Sequence, residues 1–109
     1  MADPSRTPRP SFALRRGFID QADRILVDAK AVAARAEDEQ TEVFLWNEAG
    51  DAFEQAAKLY RRADLGLLAR DIFAQASYSF GRSGASDDAR RCDRFSREIQ
   101  PYWEASPNE

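Results

Sequence analysis

The chain has 109 residues, enough for one domain, and carries 16 basic against 19 acidic side chains for a formal charge of −3. It contains no histidine and one cysteine, Cys92, which excludes imidazole acid–base catalysis, Ser–His and Cys–His nucleophiles, intrachain disulfides and His- or Cys-based metal sites. No apolar run approaches the ~20 residues that span a bilayer, and the start lacks the apolar stretch of a secretory signal, so a cytoplasmic protein without cofactor is expected.

Alanine is abundant, Val, Ile and Thr are scarce, and 14 of the 16 basic residues are Arg. The propensities therefore favour helix throughout, and the Arg excess reads as the codon bias of a GC-rich genome. Residues 1–11 hold three of the five prolines and form an N-terminal tail, with Ser11 as helix cap. Leu14, Phe18, Ala22, Ile25, Ala29, Val32 and Ala36 recur at steps of three and four, one stripe on a first helix ending near Ala36. Glu37-Asp38-Glu39 fits the start of a second helix, where the macrodipole favours acids. That helix carries Val43, Trp46, Ala49, Gly50, Phe53, Ala56, Ala57 and Tyr60 and breaks near Arg62-Ala63. Asp64 then caps a third helix with Leu65, Leu68, Ala69, Ile72, Phe73, Ala76 and Phe80 on its stripe, ended by Gly81 and a left-handed Gly84. Ser86-Asp87-Asp88 opens a fourth helix on Ala89, Cys92, Phe95, Ile99 and Trp103, which Pro101 ends or kinks near Ile99. Residues 12–103 thus form a single helical domain and 104–109 a C-terminal tail. Nothing alternates with period two, so the fold class is all-α, four antiparallel helices joined by short connections.

Trp46-Asn47-Glu48-Ala49-Gly50-Asp51-Ala52-Phe53 resembles the first helix of a tetratricopeptide repeat, whose signature is Trp, two residues, Leu-Gly, two residues, Tyr. Ala69, Phe73 and Ala76 are similar to the second-helix pattern, and Phe73, Ala76, Phe80, Gly84 and Ala89 form a weaker echo. Ala49 stands where the family has Leu, no Pro closes the second helix, and Trp46 to Ala69 is longer than the family's spacing. The long helices and the segment 56–63 are closer to the extended-helix, SNAP-type arrays. The resemblance, over about residues 41–98, implies helical hairpins with Gly50 and Ala69 at a tight crossing; the alternative is a plain four-helix bundle whose small residues imitate the motif.

By that resemblance the peptide-facing residues are Asn47, Asp51, Glu54 and Gln55 on the second helix with Tyr78 and Arg82 on the third; a solvated polar face is the plainer reading. Trp46 and Phe53 read as core. Residues 1–16 carry +3, residues 17–60 carry −6, and the remainder is neutral. Arg90, Arg94 and Arg97 share a face of the fourth helix and form a candidate secondary basic surface, or a stripe paired with Asp87, Asp93 and Glu98. Nucleic acid is not an expected partner of this acidic chain, and Cys92 reads as a small buried hydrophobe. Ile99, Tyr102 and Trp103 follow the last regular turn and are candidates for self-association as a homodimer. The function these features point to is a protein–protein interaction module, an adaptor, chaperone-like or regulatory subunit that binds a peptide or helix and is not an enzyme. The alternatives are a helical ligand-binding regulator or enzyme with an interhelical pocket, and a purely structural homodimer.

Overall fold

The structure, a computed structural model, describes residues 11–38 and 43–99. It consists of α1 (Phe12–Asp38), α2 (Val43–Arg62), α3 (Gly66–Arg82) and α4 (Ser86–Glu98). No described helix is long and apolar enough to cross a membrane.

Ser11 caps α1: its hydroxyl accepts the Leu14 amide at 3.2 Å, and its carbonyl accepts that of Arg15. The acids at Glu37 and Asp38 belong to the last turn of α1 rather than the start of α2, which has no acid in its first turn. Burial of Ala36 against Leu45 and Trp46 carries α1 past the expected end and outweighs the macrodipole at this site. Glu39 lies outside the described residues.

The two described turns share one construction. Asp64 is left-handed, at φ 65°, and closes α2: its amide bonds the Arg61 carbonyl at 3.0 Å while the Leu65 amide bonds that of Tyr60 at 3.0 Å. Gly84, at φ 81°, does the same for α3, with the Ala85 amide on the Phe80 carbonyl at 3.0 Å. Asp64 is therefore not the cap expected for α3, and Ser86, the first residue of α4, does not occupy the cap position of that helix. The residues at those positions are Leu65 and Ala85, whose side chains make no capping bond, because the chain spends its turn residues on ending one helix rather than starting the next. α4 ends at Glu98, and Ile99 is extended. Pro101, Tyr102 and Trp103 lie outside the described residues.

Each helix packs on the next, α1 on α2, α2 on α3 and α3 on α4, whereas α1 and α4 share no interface of comparable extent. Cross-links fix antiparallel neighbours. Arg15 Nε donates to the Ala63 carbonyl at 2.9 Å at one end of α1–α2, and Ala36 packs on Leu45 and Trp46 at the other. Ser77 and Ser96 hydroxyls donate to the Ala89 and Arg70 carbonyls, at 2.8 and 2.9 Å, across α3–α4. The result is an open array rather than a closed bundle.

Ala22 and Ala29 of α1 share the core with Ala49 and Ala56 of α2, where small side chains let the helices approach closely. Gly50 does not meet Ala69. A Cβ added at Gly50 would stand 2.8 Å from the Phe80 ring. Ala69 lies eleven residues before Phe80, about 16 Å along α3 beside the turn. An antiparallel hairpin turning at 63–65 sets Gly50 opposite the far end of α3, so the crossing expected from the tetratricopeptide resemblance is replaced by a ring seated on glycine.

Candidate functional site

Three parallel lines of apolar side chains run along α1. The middle one, Ala22, Ala29 and Ala36, is fully buried against α2. On one flank stand Phe18, Ile25 and Val32. On the other stand Phe12, Ile19, Leu26 and Ala33, seven residues apart and so aligned on one face. Phe12 is 77% exposed, and Ile19, Leu26 and Ala33 are half-buried. This second heptad line was not singled out from the sequence, although its spacing is legible there.

Ala33 and Glu37 form one wall of a recess of about 350 Å³ between α1 and α3, over α2. Trp46 and Phe53, one heptad apart on α2, are its floor, and Gln75 and Tyr78 of α3 form the opposite wall. Tyr78 stands edge-on to Trp46, with ring centroids 5.7 Å apart, and is itself 58% exposed. The Arg82 guanidinium lies 5.4 Å above the Trp46 ring. Along the same side of α1, Phe12 and Ile19 border a further hollow of about 330 Å³ with Arg15, Arg16 and Asp20. The third aromatic of the α2 heptad, Tyr60, is buried and donates its hydroxyl to Asp23 of α1 at 2.5 Å; burial first, then that carboxylate, raises its pKa. The arrangement is an apolar furrow with polar groups at its rim, Glu37 among them, and is able to bind an apolar segment.

The six residues expected to face a peptide do not converge. Tyr78 lines this recess, and Arg82 touches it only through Trp46. Asn47 donates to Ser83 Oγ at 3.4 Å and is half-buried between α2 and the α3–α4 turn. Glu54 is only 7% exposed: Arg91 of α4 grips it with two bonds of 2.8 and 3.0 Å, and Lys58 stands 3.7 Å away. Burial alone would raise the Glu54 pKa, but the Arg91 fork and Lys58 pull it below its ordinary value. Arg91 also holds Asp88, and these carboxylates raise its own pKa further. Asp51 remains exposed; partial burial, then Glu54 and Asp88, push its pKa up. Gln55 faces a different recess, shared with α1. An i, i+4 pattern puts Asp51 and Gln55 near one another on a wheel, yet α4 draws one side of α2 inward and α1 borders the other.

The basic face of α4 is internally paired: Arg90 with Asp87 at 2.6 Å, Arg94 with Glu98 at 3.8 Å, and Arg97 with Asp93 at 3.0 Å. These exposed i, i+3 and i, i+4 pairs leave little net field for an acidic peptide. Ile99 is no exposed patch either, since its Cγ2 would meet a Cβ at Gly66 at 3.3 Å and it packs on the core. Cys92 is fully buried, and burial, then the nearby Glu54 charge, pushes its thiol up to about 12. Among the described residues no group of three His, Cys, Asp or Glu side chains could hold a metal ion. No family model matches the chain, and neither does a curated protein or a solved structure.

Proposed function

We propose that the chain is a protein-interaction module of the adaptor or regulatory kind, which seats an amphipathic helix of a partner in the furrow between α1 and α3. The observation that carries this is the half-open heptad line Phe12, Ile19, Leu26 and Ala33 beside the Trp46–Tyr78 recess. A helix laid there would meet apolar side chains at its own seven-residue intervals, with Tyr78 and Trp46 as anchors. Glu37 in the recess wall and Arg82 over the Trp46 ring would sort the partner's flanking charges. Binding without catalysis is the reading that a histidine-free chain with an apolar furrow supports best. The tetratricopeptide resemblance is not needed for it, because the furrow follows from the α1 and α3 faces themselves.

A phage library of helical peptides, selected on the wild-type chain and then assayed on Ala33→Glu and Tyr78→Lys, tests it. Enriched peptides should carry apolar residues at i, i+3 or i+4, and i+7, and should bind both variants at least tenfold more weakly. Equal binding to both correctly folded variants refutes the reading.

A further inference from the structure

The other flank of the α1–α2 contact carries a second recess, of about 440 Å³, with a different chemistry. Its α2 side presents Lys58, Arg61 and Arg62 within two helical turns, and Gln55 one turn earlier; α1 supplies Gln21. Half-buried Ile25 and Leu59 give it an apolar floor. Among the described residues no carboxylate lines it, although the chain as a whole carries −3. The cations are also held in place. Lys58 is tethered 3.7 Å from the buried Glu54, the Arg61 guanidinium lies 5.4 and 5.5 Å from the Phe73 and Phe95 rings, and that of Arg62 lies 5.8 Å from Phe18. Ring stacking engages a guanidinium through its face and leaves the in-plane N–H donors for a ligand. The recess lies at the C-terminal end of α2, where the macrodipole opposes anions. The last carbonyls there are closed by the Asp64 turn and by Arg15 Nε on the Ala63 carbonyl at 2.9 Å, so few of them point into the recess.

We infer that this recess binds a dianionic phosphoryl group on a small organic body. Arg61 and Arg62, with Lys58 shared between the recess and Glu54, exceed what a single carboxylate neutralises; arginine forks match phosphate oxygens two at a time, the carboxamides suit neutral polar atoms, and the Ile25–Leu59 floor accepts the organic part. The phosphoryl group could come from a free phosphoester or from a phosphorylated side chain of a peptide. The site is separate from the α1–α3 furrow and does not depend on it.

The test follows backbone and arginine Nε–H NMR signals of the full chain during titration with phenyl phosphate, benzoate and the peptide Ac-Leu-pSer-Leu-NH2. Phenyl phosphate should saturate, shift residues 21–25 and 55–62, and bind at least about tenfold tighter than benzoate. Its affinity should fall between pH 7.5 and pH 5, as the phosphate passes below its second pKa of about 6. Lys58→Gln/Arg62→Gln should lose at least tenfold, and Lys58→Gln alone, an exposed change, covers the case in which the double variant misfolds. Arg90→Gln/Arg94→Gln on α4 should change affinity less than twofold. The phosphopeptide binding tighter than phenyl phosphate makes the source a phosphoprotein; the reverse makes it a free phosphoester, and either order supports the site. Benzoate binding as tightly as phenyl phosphate, an unchanged affinity in folded Lys58→Gln, or an equal loss on α4 overturns it.

Discussion

Gly50 gives the sharpest test of the packing. A Cβ built there stands 2.8–2.9 Å from three carbons of the Phe80 ring, closer than real side-chain contacts occur. Phe80 is 1% exposed, so its ring has nowhere to swing. Overpacking of a dense core costs about 1–3 kcal/mol, while Gly→Ala inside a helix returns about 1 kcal/mol through propensity. Gly50→Ala should therefore destabilise by about 1 kcal/mol, lowering Tm by about 4–8 °C in a domain of this size. Gly17, also inside a helix, has nothing within 4 Å of its virtual Cβ. Gly17→Ala feels only the propensity and should stabilise by about 0.5–1 kcal/mol. Opposite signs for one chemical change are what urea and thermal unfolding would read. Phe80→Leu should relieve the clash, so the double variant with Gly50→Ala should be more stable than the sum of the singles by about 1 kcal/mol. Equal stabilisation by the two Gly→Ala changes, or strict additivity with Phe80→Leu, would show that the ring does not lie on Gly50.

Two further outcomes follow from the Cys92 thiol and from the Glu54 and Asp51 carboxylates. Cys92, fully buried with its thiol pushed up to about 12, should resist dithionitrobenzoate in the native state and react at a rate that tracks global unfolding in urea; prompt labelling without denaturant refutes this placement. Glu54 and Asp51 should oppose one another with pH. The Glu54 pKa is depressed below 4.5 on folding, so its stabilisation is full above that value and fades as pH falls through the folded pKa, and Glu54→Gln should cost stability at pH 7 and less at pH 3. The Asp51 pKa is raised above 3.8, so its penalty is full above the folded pKa and vanishes below 3.8. Asp51→Asn should accordingly stabilise at pH 7 and be neutral at pH 3, and urea midpoints of the same sign for both variants at pH 7 would refute the pairing.

Local chemistry was legible in the sequence wherever one helix face decided the matter. The Ala22–Ala29–Ala36 line, the Ser11 cap, the left-handed Gly84 and the burial of Trp46, Phe53 and Cys92 all follow from spacing and residue type. Asp64 misled because an Asp before a helix reads as a cap, while the hairpin needed a left-handed residue at that point to end α2. Glu54 misled for a longer-range reason. Its partner Arg91 lies 37 residues on, and the two meet only because α3 and its turns return the second turn of α4 to the level of Glu54. A wheel for α2 alone shows an acid beside Asp51 and nothing that would bury it. The Gly50–Ala69 crossing failed similarly, because register in an antiparallel hairpin is set by where the turn falls and not by which residues are small.

The arginine excess has a structural use that composition does not reveal. Arg61, Arg62, Arg82, Arg91 and Arg94 each lie within 6 Å of an aromatic ring. In an open array every helix has edges that no neighbour covers, and rings such as Phe18 and Phe95 are left half-buried there. A planar guanidinium can lie flat on such a ring, shielding the apolar face while its N–H groups stay in water or on a carboxylate; a lysine ammonium, compact and strongly hydrated, cannot do both. α4 finishes its outer face this way, adding ion pairs along the helix. α1 does not. Its middle line packs on α2, and among the described residues the flank from Phe12 to Ala33 has neither a guanidinium cover over its length nor a helix packed on it, so apolar surface stays open along that side of the array.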